Sequence, residues 1–301
     1  MSNQIPVFNR QKFLLIFIKL AGSHLSKLDL QKLLFLYHRN FDALYYDFIP
    51  YHYGCYSFQV NADLETLQHT GWLKIEENEI SLLNEDVKAL ECNYKEVINI
   101  KGFMSKHSEL KGKALIKHVY NDYPYYAINS KIADFRLLEN NSLKKIDKVR
   151  DELHQYIEPM LFTIGYEGIS LESYINKLIG KNIKILCDVR NNPLSRKFGF
   201  SKSSLSIILP KIGIKYIHIP ELGIQSAERK NLNSHIDYKK LFLEYENSLQ
   251  NKLQYVNQIC ELISKYKRIA LTCFEKEPTM CHRYYLSAFI EANYEVKAKN
   301  I

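Results

Sequence analysis

The segment 269–283 concentrates side chains that can do chemistry. An apolar run typical of a β-strand ends at Cys273, and a helical pattern begins near His282. The nucleophilic or ionisable residues of this segment include Cys273, Glu275, Glu277, Cys281, His282 and Arg283. Open α/β sheets bind their ligands beyond the carboxyl ends of the strands. The segment therefore predicts one wall of a binding crevice.

Three further apolar runs of strand character also end in polar residues. These ends lie at 165–168, 188–193 and 218–223. Because the carboxyl ends of parallel strands meet at one edge of a sheet, we expect all four ends to form one site. Asp188 and Glu275 are then candidates for an acid–base pair, with His218 as a further catalytic candidate. Asp188 fits a structural ion pair with Arg190 or Arg283 equally well.

Cys273 is the candidate nucleophile of this site. A thiol gains reactivity beside an imidazole, which either His218 or His282 can supply. A buried structural thiol fits the pattern as well. Phosphatase-like and sulfur-transfer loops close with an arginine six positions after the thiol, where this chain has Thr279. Those two reactions are therefore disfavoured.

The same segment can be weighed as a zinc site. Seven residues separate Cys273 from Cys281, and Cys281 directly precedes His282, which does not match the usual spacing of zinc ligands. Two neighbouring residues at a helix start are expected to point apart. We therefore predict no metal, with zinc as a minor alternative, and a packing role for Cys281.

Residues 190–202 form a basic loop with aromatic rings between the charges. Guanidinium groups bind phosphate through paired hydrogen bonds, and an aromatic ring stacked on an unpaired base contributes about 1–3 kcal/mol. The predicted contacts to nucleic acid are Arg190, Arg196, Lys197, Phe198, Phe200, Lys202, Arg229 and Arg283. Gly165 and Gly168 are predicted to let a ligand approach the backbone. A basic loop whose phenylalanines pack into the core is the alternative.

The net charge of +8 is unevenly divided along the chain. Residues 1–158 contain 20 Lys and Arg against 20 Asp and Glu, whereas residues 159–301 contain 21 against 13. The whole excess therefore belongs to the C-terminal half, which is typical of a partner for a polyanion. A soluble basic domain without such a partner is the alternative.

The overall composition excludes several classes of protein. It is 46% hydrophobic and 25% charged, as in ordinary globular domains. No apolar run approaches the roughly 18 residues that span a membrane, and no signal-peptide pattern opens the sequence. Neither a dinucleotide fingerprint nor a phosphate loop of nucleotide hydrolases occurs. We expect a cytoplasmic protein with reduced thiols and no membrane partner.

The elements that must position the polar residues fall into two predicted domains. The C-terminal domain, 159–301, alternates short apolar runs with helical patterns, which predicts an α/β fold with a mostly parallel sheet and helices on both faces. The N-terminal domain, 1–158, is mainly helical with a hairpin at 72–82, which predicts a winged-helix-like arrangement. Its zero net charge favours docking of a protein, or dimerisation, over tight binding of DNA. A helical pattern over 85–118 is predicted to break at Lys101-Gly102.

Several motifs of the C-terminal half occur together and in order. They are 162–168 (FTIGYEG), Asp188 with Arg190, 199–202 (GFSK), His218 with Glu221, and 273–283 (CFEKEPTMCHR). Together they closely resemble the domain of unknown function 488 family. The resemblance implies an α/β domain with a polar site formed by these motifs, in a family without a settled activity.

The N-terminal half carries a second resemblance. Residues 30–35 (LQKLLF), 51–54 (YHYG) and Gly71-Trp72 are similar to the Panacea-type, antitoxin-associated helical domains, with Cys55 where those domains commonly have proline. This resemblance implies a bacterial protein with a role in phage defence.

The leading hypothesis is a bacterial protein that processes or senses nucleic acid, with modified DNA among its candidate targets. The rival hypotheses are a non-enzymatic antitoxin-like or defence adaptor protein and an enzyme for a small molecule. The choice between DNA and RNA stays open, as does the formation of a homodimer.

Overall fold

The computed structural model describes residues 5–41, 45–84, 90, 93–107, 109–225, 227–229, 232 and 234–301. The chain divides into two compact units, Met1–Arg150 and Asp151–Ile301. This division lies eight residues before the predicted boundary at Pro159. Cys92 lies outside the described residues. The same holds for residues 85–89 and 91, at the start of the predicted helical segment 85–118.

Helices and two small antiparallel sheets form the N-terminal unit. Its helices are α1 (Asn9–Leu20), α2 (Lys27–Phe41), α3 (Phe58–His69), α4 (Tyr94–His107), α5 (Gly112–Asp122) and α6 (Asn140–His154), which runs across the division. Its strands are β1 (His24–Ser26), β2 (Ile49–Tyr51), β3 (Gly54–Tyr56), β4 (Leu73–Glu76) and β5 (Glu79–Leu82). The sheets have the strand orders β1-β5-β4 and β2-β3. The unit is therefore mainly helical, as predicted.

Local sequence signals account for the position of two of these elements. The Ser57 side chain accepts a hydrogen bond from the amide of Val60 and caps α3. The hairpin of β4 and β5 turns at Glu77, which has a positive φ of 51°. The predicted helix break at Lys101-Gly102 is wrong, because α4 continues to His107. Burial of the neighbouring Ile100, Phe103 and Met104 outweighs the roughly 1 kcal/mol cost of an internal glycine.

His38 makes the N-terminal unit sensitive to acid. Its Nδ1–H donates to the carbonyl of Leu34, at 2.8 Å, and its Nε2 accepts from the amide of Tyr46, at 3.2 Å. Burial lowers the pKa of His38 to about 4. The unfolded chain therefore binds more protons than the folded one between about pH 6.5 and 4, and stability falls as the pH falls through this window.

We expect acidification from about pH 6.5 to 4 to remove about 3 kcal/mol of stability from this unit, given 1.4 kcal/mol per pKa unit. Urea unfolding followed by the fluorescence of Trp72, which is buried in this unit and is the only tryptophan, measures the change. His38→Gln cannot titrate and should flatten the pH dependence. An unchanged pH dependence in this variant would show that other groups carry it.

The C-terminal unit is an α/β structure. Its strands are β6 (Met160–Gly165), β7 (Ile185–Asp188), β8 (Lys215–His218), β9 (Arg268–Cys273) and β10 (Ala298–Asn300). Its helices are α7 (Leu171–Gly180), α8 (Lys202–Ile208), α9 (His235–Ser248), α10 (Leu253–Tyr266) and α11 (His282–Asn293). The strands form one parallel sheet in the order β10-β6-β9-β7-β8. The predicted α/β class is confirmed.

Helices cover both faces of this sheet. Side chains alternate between the faces along each strand. Leu271 of β9 packs in a core cluster with residues of α9, α10 and α11. Thr272, the next residue, faces the opposite side and accepts a hydrogen bond from the buried Tyr174 hydroxyl of α7, at 2.8 Å. This alternation decides which polar strand ends can meet.

Two predicted elements of the C-terminal unit differ in detail. The sequence pattern predicts one long helix over 238–266, but the structure forms two helices, α9 and α10, joined by a 3₁₀ turn at Leu249–Lys252. The sequence pattern predicts a last strand over 294–297, but this strand forms at 298–300, where it pairs with Leu161–Thr163. Among the described residues, no helix combines the length and the apolar character needed to cross a bilayer.

Candidate thiol and imidazole site

The candidate site lies at the carboxyl end of β9. Cys273 is the last residue of this strand, and its neighbours across the sheet are the ends of β6 and β7. A cleft of about 340 Å³ opens there and includes Cys273, Glu275 and His282 in its wall. The predicted position of a crevice beyond the strand ends agrees with this geometry.

Cys273 has two proton acceptors within reach. Its thiol is buried, with a relative exposure of 2%. The sulfur lies 3.3 Å from Glu275 Oε2 and 3.6 Å from His282 Nδ1. A thiol beside an oriented imidazole has the arrangement of an activated nucleophile.

The orientation of His282 follows from its position at the start of α11. Its Nε2 lies 2.9 Å from the carbonyl oxygen of Val189, which follows β7. A carbonyl only accepts hydrogen bonds, so Nε2 carries the proton. In the neutral ring, Nδ1 then presents its lone pair to the sulfur of Cys273. Val189 thus fixes the imidazole in the tautomer that can take a thiol proton.

The second thiol of the segment joins the same cluster. Cys281 Sγ lies 3.9 Å from His282 Nδ1. The expectation that these neighbouring side chains point apart is wrong. Cys281 has an extended backbone, with φ −140° and ψ 137°, whereas His282 begins α11. This change of backbone conformation turns the two side chains toward one point, so Cys281 does more than pack.

Arg229 completes the cluster from the loop that follows β8. Its Nη1 donates to Glu275 Oε1 at 2.9 Å, and its Nη2 donates to His282 Nδ1 at 3.1 Å. About one third of its side chain is exposed, and it also faces the cleft. Arg229 was predicted to contact nucleic acid, and the structure places its charge directly beside the thiol.

The pKa values of the two thiols are shifted in opposite directions. The hydrogen bond from Cys281 lowers the pKa of Cys273 well below its usual value, helped by His282 and Arg229, although burial acts in the other direction. Burial raises the pKa of Cys281, and its contact with Cys273 raises it further. The thiolate of the pair therefore belongs to Cys273.

The prediction that Arg283 holds phosphate is wrong. Its side chain is fully buried, and its Nη1 donates to the carbonyl oxygen of Glu275 at 2.6 Å. A second donor reaches the carbonyl oxygen of Lys276 at 3.4 Å. Arg283 therefore stabilises the loop after β9 from inside the protein, and its side chain is not accessible to a ligand.

Gly165 likewise serves the protein rather than a ligand. A Cβ atom at this position would lie 1.9 Å from the carbonyl oxygen of Glu275. The glycine makes room for the loop after β9, so the predicted approach of a ligand to its backbone is wrong. Gly168 has a φ of +77° and no heavy atom within 4 Å of a Cβ, and it permits a left-handed turn.

Asp188 and Arg190 form a buried ion pair on the other face of the sheet. Asp188 shares its face with Thr272, its neighbour in register. Arg190 donates from Nε to Oδ1 at 2.8 Å and from Nη2 to Oδ2 at 2.5 Å. The hydroxyl of Tyr216 adds a bond to Oδ2 at 2.6 Å. Both side chains are buried, so the structural alternative of the sequence analysis describes Asp188 better than an acid–base role with Glu275.

The remaining donors of Arg190 are also engaged. Its Nη1 donates to the Tyr166 hydroxyl at 2.8 Å and to the carbonyl oxygen of Phe200 at 2.9 Å. Phe200 is fully buried, and its ring stacks on Tyr166 with the centroids 4.4 Å apart. The predictions that Arg190 binds phosphate and that Phe200 stacks on a base are therefore wrong, because both groups are used inside the protein.

His218 and two of the predicted lysines brace the same region. His218 Nε2 lies 2.9 Å from the carbonyl oxygen of Arg190, and its Nδ1 lies 3.1 Å from Nζ of Lys202. Lys197 donates to the carbonyl oxygen of Tyr166 at 2.7 Å. His218 sits on β8, which β7 separates from β9. The imidazole beside Cys273 is therefore His282.

Three of the predicted contacts to nucleic acid lie at the surface. Arg196 is exposed and lines the cleft. Phe198 has a relative exposure of 43%, and Lys202 is exposed at the start of α8. Arg196 and Phe198 can therefore meet a ligand outside the protein, whereas Lys202 is exposed but also contacts His218.

A comparison with protein families finds a match to the part of the chain that contains this site. Residues 170–290 match the family model described as Domain of unknown function DUF488. The C-terminal half is similar to this family over that range. The matched range spans α7 to most of α11 and includes Cys273, Cys281 and His282, so the resemblance predicted for this half is confirmed. No curated protein matches the chain. The resemblance of the N-terminal half to Panacea-type domains stays a prediction.

Proposed function

We propose that the C-terminal unit is an enzyme that uses Cys273 as a nucleophile on a nucleic acid. One observation carries the proposal: the thiol lies 3.6 Å from His282 Nδ1, while the carbonyl of Val189 fixes the other ring nitrogen. Nucleophile, base and orienting group therefore stand in the order that covalent catalysis requires. Glu275 and Arg229 extend this arrangement toward the cleft.

The reaction class follows from these groups. Once Arg229 Nη2 releases His282 Nδ1, that nitrogen takes the proton of Cys273, and the sulfur forms a bond to an electrophilic atom of the substrate. The bond from that atom to its leaving group breaks, and His282 returns the proton to the leaving group. Water then releases the covalent adduct from the sulfur. Arg229 faces the negative charge that develops on the substrate.

Nucleic acid is the substrate class favoured by charge. The +8 of the chain resides in residues 159–301, and the rim of the cleft includes the exposed Arg196. Phe198, two residues further along the same loop, offers an exposed ring to an unpaired base. Backbone phosphates attract exposed cations without regard to sequence.

The N-terminal unit is assigned to docking in this proposal. The order α1-β1-α2-β2-β3-α3-β4-β5, with β5 paired between β1 and β4, supports a winged-helix-like interpretation with an inserted hairpin of β2 and β3. Helix α3 contains no lysine or arginine, which disfavours contact with DNA phosphates. A protein partner or a second copy fits this unit better, and a phage-defence system is the setting that the Panacea resemblance implies.

A small-molecule enzyme is the second candidate. The cleft volume of about 340 Å³ lies at the lower end of the range for ligand pockets, about 300–1,000 Å³. An anionic small molecule would meet Arg229 and Arg196 in the same way as a phosphate of nucleic acid.

Binding at several salt concentrations tests the nucleic-acid part. We expect single- and double-stranded DNA and RNA to bind more weakly as salt rises, since each phosphate contact releases counterions. Arg196→Ala should lower the slope of log K against log salt by about 1. Lys101→Ala, the same change of charge at an exposed site in the N-terminal unit, is the matched control. Absence of binding at low salt would overturn this part in favour of a small substrate.

The catalytic part is tested on the same nucleic acids. Denaturing gels should show an altered strand or a covalent adduct with the native chain. Cys273→Ser should abolish both while it keeps the affinity and the salt dependence. If products still form with this variant, the thiol mechanism is contradicted, whereas the conclusion on binding is unaffected.

A further inference from the structure

We infer that Cys273, Cys281 and His282 together bind one thiophilic divalent ion, which we assign as Zn²⁺, and that this ion suppresses the thiol reaction by occupying its nucleophile. The suppression rests on the proposed function, whereas the binding does not. All three residues are buried, and Cys273 and His282 also line the cleft.

The ligand atoms already stand at the separations that zinc needs. Cys273 Sγ, Cys281 Sγ and His282 Nδ1 lie within 4.8 Å of one another. The two sulfur-to-nitrogen distances are 3.6 Å and 3.9 Å. Bond lengths of about 2.3 Å to sulfur and about 2.0 Å to nitrogen place tetrahedral ligands about 3.5 Å apart. Small side-chain rotations therefore bring all three atoms onto one ion.

The surroundings of His282 also fit a metal ligand. Histidines that bind metals usually donate their other ring N–H to a carbonyl or carboxylate, which fixes the tautomer. Nε2 of His282 lies 2.9 Å from the carbonyl oxygen of Val189 in this manner. Two thiolates and an imidazole favour Zn²⁺ over Mg²⁺ or Ca²⁺, which prefer oxygen ligands.

A fourth position remains on the side of the cleft. Glu275 Oε2 lies 3.3 Å from Cys273 Sγ, so this carboxylate or a water molecule can complete four ligands. The cleft supplies the entry path for the ion.

Arg229 opposes the ion. Its Nη2 lies 3.1 Å from His282 Nδ1, on the lone pair that would bind the metal. Binding therefore requires its guanidinium to turn away, and its charge repels a cation. Removal of this competing donor and of its charge should strengthen metal binding.

A cobalt titration of the full chain, reduced and treated with a chelator, tests the site. We expect one Co²⁺ per chain, with the thiolate charge-transfer band and the intense visible bands of a tetrahedral ion. Zn²⁺ should displace it, and binding should release protons from the thiols. Cys273→Ser, Cys281→Ser and His282→Gln should each weaken binding by at least the 10–100-fold that loss of an outer-shell partner costs. Arg229→Gln should tighten it.

The control is Cys260→Ser, a thiol on α10 outside the cluster, which should leave the titration unchanged. Absence of a charge-transfer band, or the same band in Cys273→Ser, would overturn the site. The rate at which iodoacetamide alkylates Cys273 separates the two proposals. Zn²⁺ should protect this thiol in the native chain. If metal binds but the metal-free thiol reacts no faster than Cys260, the nucleophile fails and the site stands. If the thiol reacts fast but no metal binds, only the metal site fails.

Discussion

Replacement of His282 by glutamine is expected to slow the alkylation of Cys273 by iodoacetamide at neutral pH by about 100- to 10,000-fold, the usual contribution of a positioned base. The thiol is buried and lies 3.6 Å from His282 Nδ1. Glutamine cannot take the proton, so the thiolate loses one of the partners that stabilise it, while burial continues to favour the neutral, unreactive thiol. Mass spectrometry of the peptide that contains Cys273 measures the rate in metal-free protein.

His218→Gln is the matched control for this experiment. The sequence presents His218 and His282 as equal candidates, but His218 contacts the Arg190 carbonyl and Lys202 instead of the thiol. Its loss should change the rate little. Cys260 serves as the slow reference in every sample, because burial raises the pKa of its thiol to about 11. Equal rates for the two histidine variants would show that neither imidazole activates Cys273.

The general architecture of the C-terminal unit could be predicted from the spacing of its apolar residues and from the order of its strands and helices. Both can be read directly from the sequence. Short apolar runs separated by helical patterns require a parallel sheet, and parallel strands bring their ends to one edge. The crevice beyond the strand ends follows from that rule alone. The same rule does not predict which polar side chains at the strand ends meet. That depends on the face of the sheet that each residue occupies.

Asp188 and Cys273 illustrate this limit. Asp188 lies beside Thr272 in the register of β7 and β9, so its side chain falls on the face of α7. Cys273, one residue after Thr272, turns to the opposite face, where α11 begins. A shift of one residue in the register would exchange the two faces. The sequence leaves that register open, and with it the choice between an acid–base pair of Asp188 with Glu275 and a structural ion pair on the opposite face.

The basic loop shows a different limit. Phe198 and Phe200 stand two positions apart in a segment without a periodic pattern, and only the packing distinguishes them. Phe200 fills the space between Tyr166 and Tyr174, whereas Phe198 stays exposed. Cys281 was assigned to packing for a similar reason, since spacing alone does not reveal an extended residue before a helix.

Replacement of Asp188 by alanine is expected to destabilise the C-terminal unit by about 3–5 kcal/mol, since it leaves the buried charge of Arg190 without its partner. The carboxylate of Asp188 also accepts hydrogen bonds from Tyr216 and from the backbone amide of Arg190. Such a loss is a large part of the 5–15 kcal/mol that stabilises a typical domain. Urea unfolding followed by hydrogen exchange at the amides of β7 and β9 reports on this unit.

Glu244→Ala provides the surface control, because the pair of Lys240 and Glu244 is exposed on α9 and such pairs contribute less than about 1 kcal/mol. The double variant Asp188→Leu with Arg190→Met removes both buried charges and should recover most of the loss, as uncharged replacements of buried pairs often do. The comparison also decides between the two roles first weighed for Asp188. If Asp188→Ala folds with native stability yet abolishes the reaction of Cys273, the carboxylate acts in chemistry. If stability falls and the double variant restores it together with the alkylation rate of Cys273, Asp188 holds the sheet edge on which the thiol stands.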